Sequence, residues 1–193
     1  MPPTTAVVDE LREQLLDAAE GAFYARGIQA VSMDDLREAS GLALRRIYQI
    51  YPAKDEIVVA FLRRRHRAMM TRITADVEQV VGAKERVLAV FDYLEKWFAE
   101  PDFRGCPWMN AYGELGPTSA AIAAEVHYHQ REFQTLVTDL AREAGCSPAD
   151  AHAIYLLAEG AVAVAAVQHR AAPAVDARHA AQRLLQPIDR RRR

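Results

Sequence analysis

Residues 32–54 read SMDDLREASGLALRRIYQIYPAK, two short helical patterns on either side of a glycine. Ser32 is a typical N-cap, because its hydroxyl can accept hydrogen bonds from the backbone N–H groups of the opening turn. Gly41 predicts the end of this first helix, since glycine adopts the left-handed conformation that a tight turn needs. A second helix is predicted from about residue 42 to residue 50. The stretch therefore predicts a helix-turn-helix.

The second helix of this motif carries side chains suited to DNA. Its cationic, amide and aromatic groups can contact base edges in a major groove or the phosphates beside it. These residues are Leu44, Arg45, Arg46, Tyr48 and Gln49. Two adjacent arginines could give bidentate recognition of guanine, worth roughly 1–3 kcal/mol of discrimination at a base pair. The alternative is contact with phosphates alone, which positions a protein without reading sequence.

Together with the helix before it, this stretch resembles the DNA-binding domain of the tetracycline-repressor (TetR) family of bacterial transcription regulators, over about residues 9–62. The matching positions are Leu15, Leu16, Ala18, Ala19 and Phe23 in a first helix, Gly27 at its break, Met33 to Gly41 in a second helix, Ile47, Tyr48 and Tyr51 at the end of the recognition helix, and Pro52, Lys54, Asp55 and Glu56 in a linker. The resemblance implies a dimer that enters the major grooves of a roughly palindromic operator DNA. It also implies that Tyr48 and Lys54 contact backbone phosphates.

Three departures from the family pattern limit what can be carried over. Arg37 stands where a small alanine is usual, so its long stem either bends out of the helix–helix contact or its guanidinium reaches a phosphate. Ala43 replaces the usual Ser or Thr at the start of the recognition helix, and a lost cap costs about 1 kcal/mol. Arg45 and Arg46 stand where small residues are common. The predicted DNA-binding set is Ser32, Arg37, Ala43, Leu44, Arg45, Arg46, Tyr48, Gln49 and Lys54.

Positive charge is concentrated near this motif. The whole chain has a formal net charge of −2, but residues 41–72 carry eight basic and two acidic side chains. A local excess of positive charge is typical of a protein that binds phosphates at one end only. For Arg63, Arg64, Arg65 and Arg67 a solvated helix face is an equal alternative to DNA contact.

Length and composition indicate a compact cytoplasmic protein without a membrane partner. The chain has 193 residues and 51% hydrophobic content, enough for one substantial core and a small second domain. Its first residues lack a basic segment and a long apolar run, so no signal peptide is predicted. The longest apolar stretch, residues 161–167, is too short to cross a bilayer. Cys106 and Cys146 are too few for a metal cage or a disulfide framework, and buried thiols are expected.

The rest of the chain has helical periodicity and no convincing strand alternation. Helices are predicted over about residues 54–81, 83–99, 118–144, 148–171 and 175–185, with a short segment at 105–115 that resembles part of the ligand domain in one branch of the family. The fold class is therefore all-α, with about nine helices in total.

Two domains are predicted from this pattern. Residues 1–52 would form a three-helix DNA-binding domain, and residues 53–187 a helical domain for effector binding and dimerisation. Residues 188–193 would be a basic tail, for which disorder, weak attraction to phosphates and merely solubilising charge are all open.

The resemblance implies a small-molecule pocket in the helical body. Because its candidate walls are apolar and aromatic, the effector is expected to be largely apolar or aromatic with a few polar groups. The candidates are Phe91, Leu94, Phe98, Trp108, Met109, Tyr112, His129 and Tyr155. A histidine on an apolar stripe, such as His129, is also typical of a core residue. His127 and His129 have the wrong spacing to share a helical face, so no metal site and no cofactor are predicted.

The alanine-rich helix after Ser147 is apolar on more than one side and so needs cover on more than one side. In the family that this chain resembles, the last two helices pack against their copies as a four-helix bundle, which implies a homodimer. The predicted interface residues are Ile154, Leu157, Ala161, Val164, Ala180 and Leu184.

No enzyme motif is visible. The chain has no Gly-rich phosphate loop, nucleophile elbow or His-Glu-x-x-His spacing, so no catalytic residue is predicted. We therefore expect a ligand-responsive transcriptional regulator, most simply a repressor released from its operator by a small effector. The alternative is a helical small-molecule-binding or scaffold protein that has lost DNA binding.

Overall fold

The computed structural model describes residues 5–186. Nine α-helices and no β-strand are present in that range. They are α1 (Thr5–Arg26), α2 (Met33–Ser40), α3 (Leu44–Ile50), α4 (Lys54–Glu78), α5 (Ala83–Phe98), α6 (Pro107–Leu115), α7 (Ala120–Glu143), α8 (Pro148–Gln168) and α9 (Ala172–Leu184). The prediction of an all-α chain with about nine helices is confirmed. The predicted tail at 188–193 lies outside the described residues.

Helix ends differ from the predicted ones by up to three residues, for local reasons. The eighth helix ends at Gln168 because His169 adopts a left-handed conformation (φ 51°) and caps it. The ninth begins before residue 175 because Pro173, which needs no N–H partner, occupies its first turn. At the start of α8 the predicted cap is confirmed, with the Ser147 hydroxyl accepting from the Asp150 N–H over 3.1 Å.

The described residues fall into two compact units. The first contains the chain up to Arg67 together with Pro107–Tyr128, and the second contains Ala68–Cys106 together with the chain from His129 onward. α4 and α7 each contribute to both units. The predicted functional division at residue 52 stays a prediction.

Helices α1, α2 and α3 pack against one another in the first unit. Leu15 and Ala19 of α1, Leu36 of α2 and Ile47 of α3 are completely buried there. Their burial supplies the hydrophobic stabilisation of this small three-helix core.

Both ends of α2 are capped by local interactions. The Ser32 hydroxyl accepts from the Asp35 N–H over 3.1 Å, and the Asp35 carboxylate accepts from the Ser32 N–H over 2.7 Å, which is a capping box. Arg26, at the end of α1, donates to the same carboxylate over 3.0 Å. These hydrogen bonds fix the direction in which α2 leaves the preceding loop.

In the second unit α9 packs on both α5 and α8. Four of the seven buried residues of α8 are alanines, among them the completely buried Ala151, Ala158 and Ala165. Small side chains let the neighbouring helices approach closely, and the larger buried residues of α5, such as Val87 and Phe91, fill the core.

One helix of the described range, Pro148–Gln168, is long and apolar enough to cross a membrane by length and composition. The sequence prediction considered only its longest uninterrupted apolar run and missed this. The signal is weak, since the core helix of a soluble protein passes the same test. This helix also carries Asp150 and Glu159, which a bilayer would disfavour.

The capping box predicts a specific pH dependence. The hydrogen bonds from Ser32, and then the one from Arg26, lower the pKa of Asp35 from the ordinary 3.8 to about 2. Because the folded-state pKa is the lower one, the stabilisation is complete above the ordinary value and is lost as the pH falls toward about 2. The free-energy difference between the wild type and Asp35→Asn should therefore shrink as the pH falls through this window, measured by urea unfolding.

Ser32→Ala removes the hydroxyl partner and should remove part of the same pH dependence. A difference between wild type and Asp35→Asn that stays constant from neutral pH down to about pH 2 would contradict this account.

Candidate nucleic-acid interface

The turn between α2 and α3 is tight. Gly41 has a left-handed backbone (φ 69°), and its N–H donates to the Arg37 carbonyl over 3.0 Å. Ala43 follows as the N-cap of α3 and makes no side-chain cap. Both the predicted glycine turn and the predicted missing cap are confirmed.

Helix α3 has one side in the core and one side in solvent. Ile47 is completely buried, and Leu44 is half-buried. Arg45 and Gln49 are exposed, and Tyr48 is 45% exposed, which is high for an aromatic residue. The apolar residues thus anchor the helix while its polar and aromatic groups remain accessible.

The two arginines of α3 have no anionic partner among residues 5–186. Arg45 is exposed, Arg46 is half-buried, and neither guanidinium forms an ion pair there. A guanidinium carries five N–H donors in a planar fork that matches phosphate oxygens or the acceptor edge of guanine. This pair is therefore available to an external anionic ligand.

Two other predicted residues make contacts within α2 or at its start. Ser32 is engaged in the capping box with Asp35. Arg37 is exposed, and its Nε donates to Asp34 over 3.1 Å. Of the two alternatives for Arg37, the structure therefore has the side chain outside the helix–helix contact.

Lys54 lies at the first position of α4 and is half-buried. Burial lowers the pKa of its ammonium group, and the charges of Glu114, Asp55 and Asp35 oppose that effect. A lysine at the positive end of a helix is unfavourable unless nearby anions compensate. Asp55 and Glu56, in the same turn, provide two such anions.

The arginines in the middle of α4 are used inside the first unit. Arg64 donates to the carboxylates of Glu13, Asp17 and Glu20 on α1, at 3.1, 2.7 and 2.6 Å. Arg65 also pairs with Glu20, and its guanidinium lies 4.8 Å from the centre of a tyrosine ring. Only 18% of the Arg64 side chain is exposed. Neither residue is part of a merely solvated face.

Arg63 has a similar role, because its Nε donates over 2.7 Å to the buried carboxylate of Glu125 on α7. Of the four arginines considered together in the sequence, Arg67 is exposed and forms no ion pair within the described range. Three of the five arginines of α4 are therefore compensated by carboxylates within the described residues. The uncompensated arginines of the motif are those of α3.

Comparison with known proteins agrees with this geometry. The family model described as bacterial regulatory proteins, tetR family, matches residues 15–61. The helix-turn-helix transcriptional activator FasR of Mycolicibacterium smegmatis is 29% identical over 161 residues, covering 81% of this chain and 69% of that protein. The solved structure of a TetR-family regulator from Streptomyces coelicolor superposes with a TM-score of 0.85 at 26% identity, covering 92% and 95% of the two chains.

The chain belongs to the TetR family. A further relative, the transcriptional regulator TtgR of Pseudomonas putida, is 30% identical over 96 residues, which cover 47% of this chain and 46% of that protein. This TetR-family chain is a DNA-binding transcriptional regulator and not an enzyme. The alternative of a protein that has lost DNA binding gains no support from these comparisons.

The predicted pocket residues of this TetR-family chain are divided between the two units. In the second unit Phe91, Leu94, Phe98, His129 and Tyr155 are buried. In the first unit Trp108 is buried, whereas Met109 and Tyr112 are 43% and 44% exposed. Their role as pocket walls stays a prediction.

A polar cluster in the second unit was not predicted from the sequence. The Tyr155 hydroxyl donates to Gln130 over 2.6 Å, and burial raises the pKa of this tyrosine to about 12. Burial also raises the pKa of Glu159, while a hydrogen bond with Gln130 opposes the shift. Phe133 contacts the rings of both His129 and Tyr155. No spacing rule could have indicated this cluster, because its members lie on two different helices.

The predicted dimer residues also differ in exposure. Ile154 and Ala161 are buried within the chain, and Leu157, Ala180 and Leu184 are half-buried. Val164 is 43% exposed and lines a groove of about 400 Å³ between α8 and α9. Ile154 therefore packs inside this chain.

A contact between Glu114 of α6 and the loop after α1 was also missed. The Glu114 carboxylate accepts from the backbone N–H groups of Ile28 (3.1 Å) and Gln29 (2.7 Å), and the Gln29 amide donates to the Glu114 carbonyl. Gly27, which precedes them, has a φ of 85°. The resemblance marks Gly27 as a break, but nothing in the sequence indicates a partner about 85 residues away.

The Arg64 cluster predicts a stability effect. Arg64→Ala should lower the free energy of unfolding by roughly 1–3 kcal/mol, because a charged donor shared by three carboxylates is lost. Arg67→Ala, on the same helix but exposed, is the matched control and should change stability by less than about 0.5 kcal/mol. Urea unfolding followed by circular dichroism measures both, and equal stability of the two variants would show that the cluster contributes nothing.

Proposed function

We propose that this protein is a ligand-responsive repressor that binds a roughly palindromic operator as a homodimer and is released by a small, largely apolar or aromatic effector. The observation that carries the proposal is the exposed face of α3, where Arg45, Arg46, Tyr48 and Gln49 are accessible while Ile47 anchors the helix. A recognition helix with one buried side and one polar, exposed side presents its hydrogen-bond donors to the base edges and phosphates of a major groove.

The roles within this interface follow from chemistry and exposure. Arg45 and Arg46 would read guanine, since their guanidinium groups have no internal anion to satisfy them. Tyr48 and Lys54 would contact phosphates, as in the family, with Leu44 and Gln49 at base edges or sugars. Ser32 and Ala43 would act by positioning the two helices. Arg37 could exchange its exposed Asp34 partner for a phosphate at little cost, because exposed ion pairs are weak.

Dimerisation through α8 and α9 is supported by the groove between them. Leu156 is 54% exposed and Val164 43% exposed in this groove, where alanines and Gly160 line one part and the charged Arg170 and Asp176 another. An apolar strip of this kind is costly in water and is covered in a symmetric contact between two copies. Leu157, Ala161, Ala180 and Leu184 would flank this contact, and Ile154 would support it from inside.

The effector would enter the helical body assigned to residues 53–187. The predicted walls in the second unit, Phe91, Leu94, Phe98, His129 and Tyr155, would pack against it, and the hydroxyl of Tyr155 with its partners Gln130 and Glu159 would provide polar recognition. Release of DNA then requires that the effector bind the DNA-free conformation more tightly than the DNA-bound one. Because its target is chromosomal DNA, we place the protein in the cytoplasm.

Activation is the second candidate function. The relative that matches 81% of this chain is named an activator. Repression and activation can use the same DNA-binding residues and differ in where the operator lies relative to the promoter.

The DNA-binding proposal predicts different effects for two kinds of residue. Arg45→Ala or Arg46→Ala should weaken binding to DNA from the upstream region of the gene by about 1–3 kcal/mol while changing binding to scrambled DNA much less. Lys54→Met should weaken both about equally and reduce the salt dependence by about one counterion. Gel-shift titrations at several salt concentrations measure these effects.

Arg67→Ala is again the control and should bind as the wild type does. Equal losses on cognate and scrambled DNA would show that the two arginines contact phosphates only. The absence of any arginine-dependent shift would overturn the proposed interface. Footprinting of the same DNA distinguishes repression from activation. An operator that overlaps the promoter favours repression, and one upstream of the promoter favours activation.

The dimer proposal predicts a change in mass. Val164→Glu should convert the dimer to a monomer at micromolar concentration, because it would bury a carboxylate in each half of a symmetric contact. Val81→Glu, which changes a 91% exposed valine outside this groove, is the matched control. Light scattering after gel filtration reports the mass, and a Val164→Glu protein that keeps the mass of a dimer would place the contact elsewhere.

A further inference from the structure

A cavity of about 370 Å³ lies within the first unit. Of the residues predicted to line the effector pocket, only Met109 also lines this cavity. Residues of α1, the loop after it, α4 and α6 line it. Its volume is at the lower end of the range of about 300–1,000 Å³ that is typical of small-molecule sites. The cavity therefore has room for a compact ligand such as a bicyclic aromatic molecule.

The apolar wall of the cavity is held rigidly by the core. Phe23 and Phe61 are almost completely buried and meet edge to face, with ring centres 5.8 Å apart. Tyr24 adds a third aromatic side chain to the lining, and Arg65 lies over its ring. Aromatic rings that are already ordered lose little entropy when a ligand packs against them.

The polar side of the cavity is negatively charged. Among the described residues that line it, Glu114 is the one with a charged side chain. Lys54 interacts electrostatically with this carboxylate from outside the lining. Each carboxylate oxygen of Glu114 accepts one backbone N–H, and a carboxylate offers about four acceptor positions, so it can accept further donors from a ligand.

We infer that this cavity is a second small-molecule site, which takes an aromatic cation whose ring packs against Phe23 and Phe61 and whose nitrogen donates to Glu114. Both sides of the cavity favour a cation, because aromatic faces attract positive charge and the carboxylate pairs with it. An anion of the same shape would be repelled by the Glu114 carboxylate. The site goes beyond the proposed function, since it lies beside the helix-turn-helix and needs neither DNA nor the predicted effector.

The chain offers a matched pair of glycines for testing this site. Gly113 lies in α6, lines the cavity and is exposed, and a Cβ atom added there meets no atom within 4 Å. Gly21 lies in α1, is exposed, does not line the cavity and has the same open surroundings. Replacing either glycine by leucine should be tolerated in its helix, and of the two only Gly113→Leu adds a side chain to the lining of the cavity.

The experiment titrates the full-length protein with three probes of one shape, 2-naphthamidine (cation), 2-naphthamide (neutral) and 2-naphthoate (anion). Carbon-13 labelled methionine methyl groups report binding by NMR, with Met109 at the cavity and Met33, Met69 and Met70 as internal references. We expect the cation to shift Met109 and to bind about tenfold more tightly than the amide, with no measurable binding of the anion.

Glu114→Gln keeps an acceptor oxygen but removes the charge, so it should bring the amidine and the amide to about equal affinity. Gly113→Leu should abolish binding of both, while Gly21→Leu binds as the wild type does. Melting curves establish that each variant is folded. The assignment is overturned if Met109 does not respond, if Gly113→Leu still binds, or if the preference for the cation is absent or survives in Glu114→Gln.

Discussion

The positive φ of Gly41 allows α2 to end and α3 to begin with only three residues between them. An L-residue with a side chain is strained in this conformation, so the turn depends on glycine. Once the turn is made, burial of Leu36 and Ile47 sets the rotation of α3 about its own axis. Arg45, Tyr48 and Gln49 then face solvent as a consequence of the apolar packing rather than of any contact of their own.

Electrostatics in the first unit separate two groups of arginines that are indistinguishable by charge alone. Arg63, Arg64 and Arg65 neutralise carboxylates of α1 and α7, which makes them part of the fold. Arg45 and Arg46 have no such partners in the described part of the chain and keep their donors available. The phosphate-binding surface is therefore smaller than the local charge excess suggests, and its salt dependence should reflect a few contacts.

Partly buried polar groups with internal hydrogen bonds distinguish the helical body from a simple apolar bundle. Tyr155, Gln130 and Glu159 form a hydrogen-bonded cluster in the second unit, and Glu114 holds two backbone N–H groups in the first. Satisfied polar groups of this kind favour one arrangement of neighbouring elements, because any other arrangement would leave them without partners. They are the positions at which a small polar ligand could compete with an internal contact.

Most of the fold was predictable from the sequence, because its signals are local. The caps at Ser32 and Ser147, the turn at Gly41 and the helical periodicity all act within a few residues, so they could be predicted without knowing which helices meet. The exposed α3 residues followed from the same pattern. The ends of the helices were predicted less accurately. His169 ends α8 and Pro173 starts α9 through their backbone conformations, which hydrophobic periodicity does not indicate.

The tertiary structure alone decided the contacts between distant segments. Arg64 meets its carboxylates across 44 to 51 residues, and Glu114 meets the loop after α1 across 85 or 86. A charge or a carboxylate has no period that identifies its partner, because the partner depends on which helix faces pack together. The sequence by itself determined the helices and the side chains of the recognition helix α3. Tertiary packing decided which charges remain available to DNA.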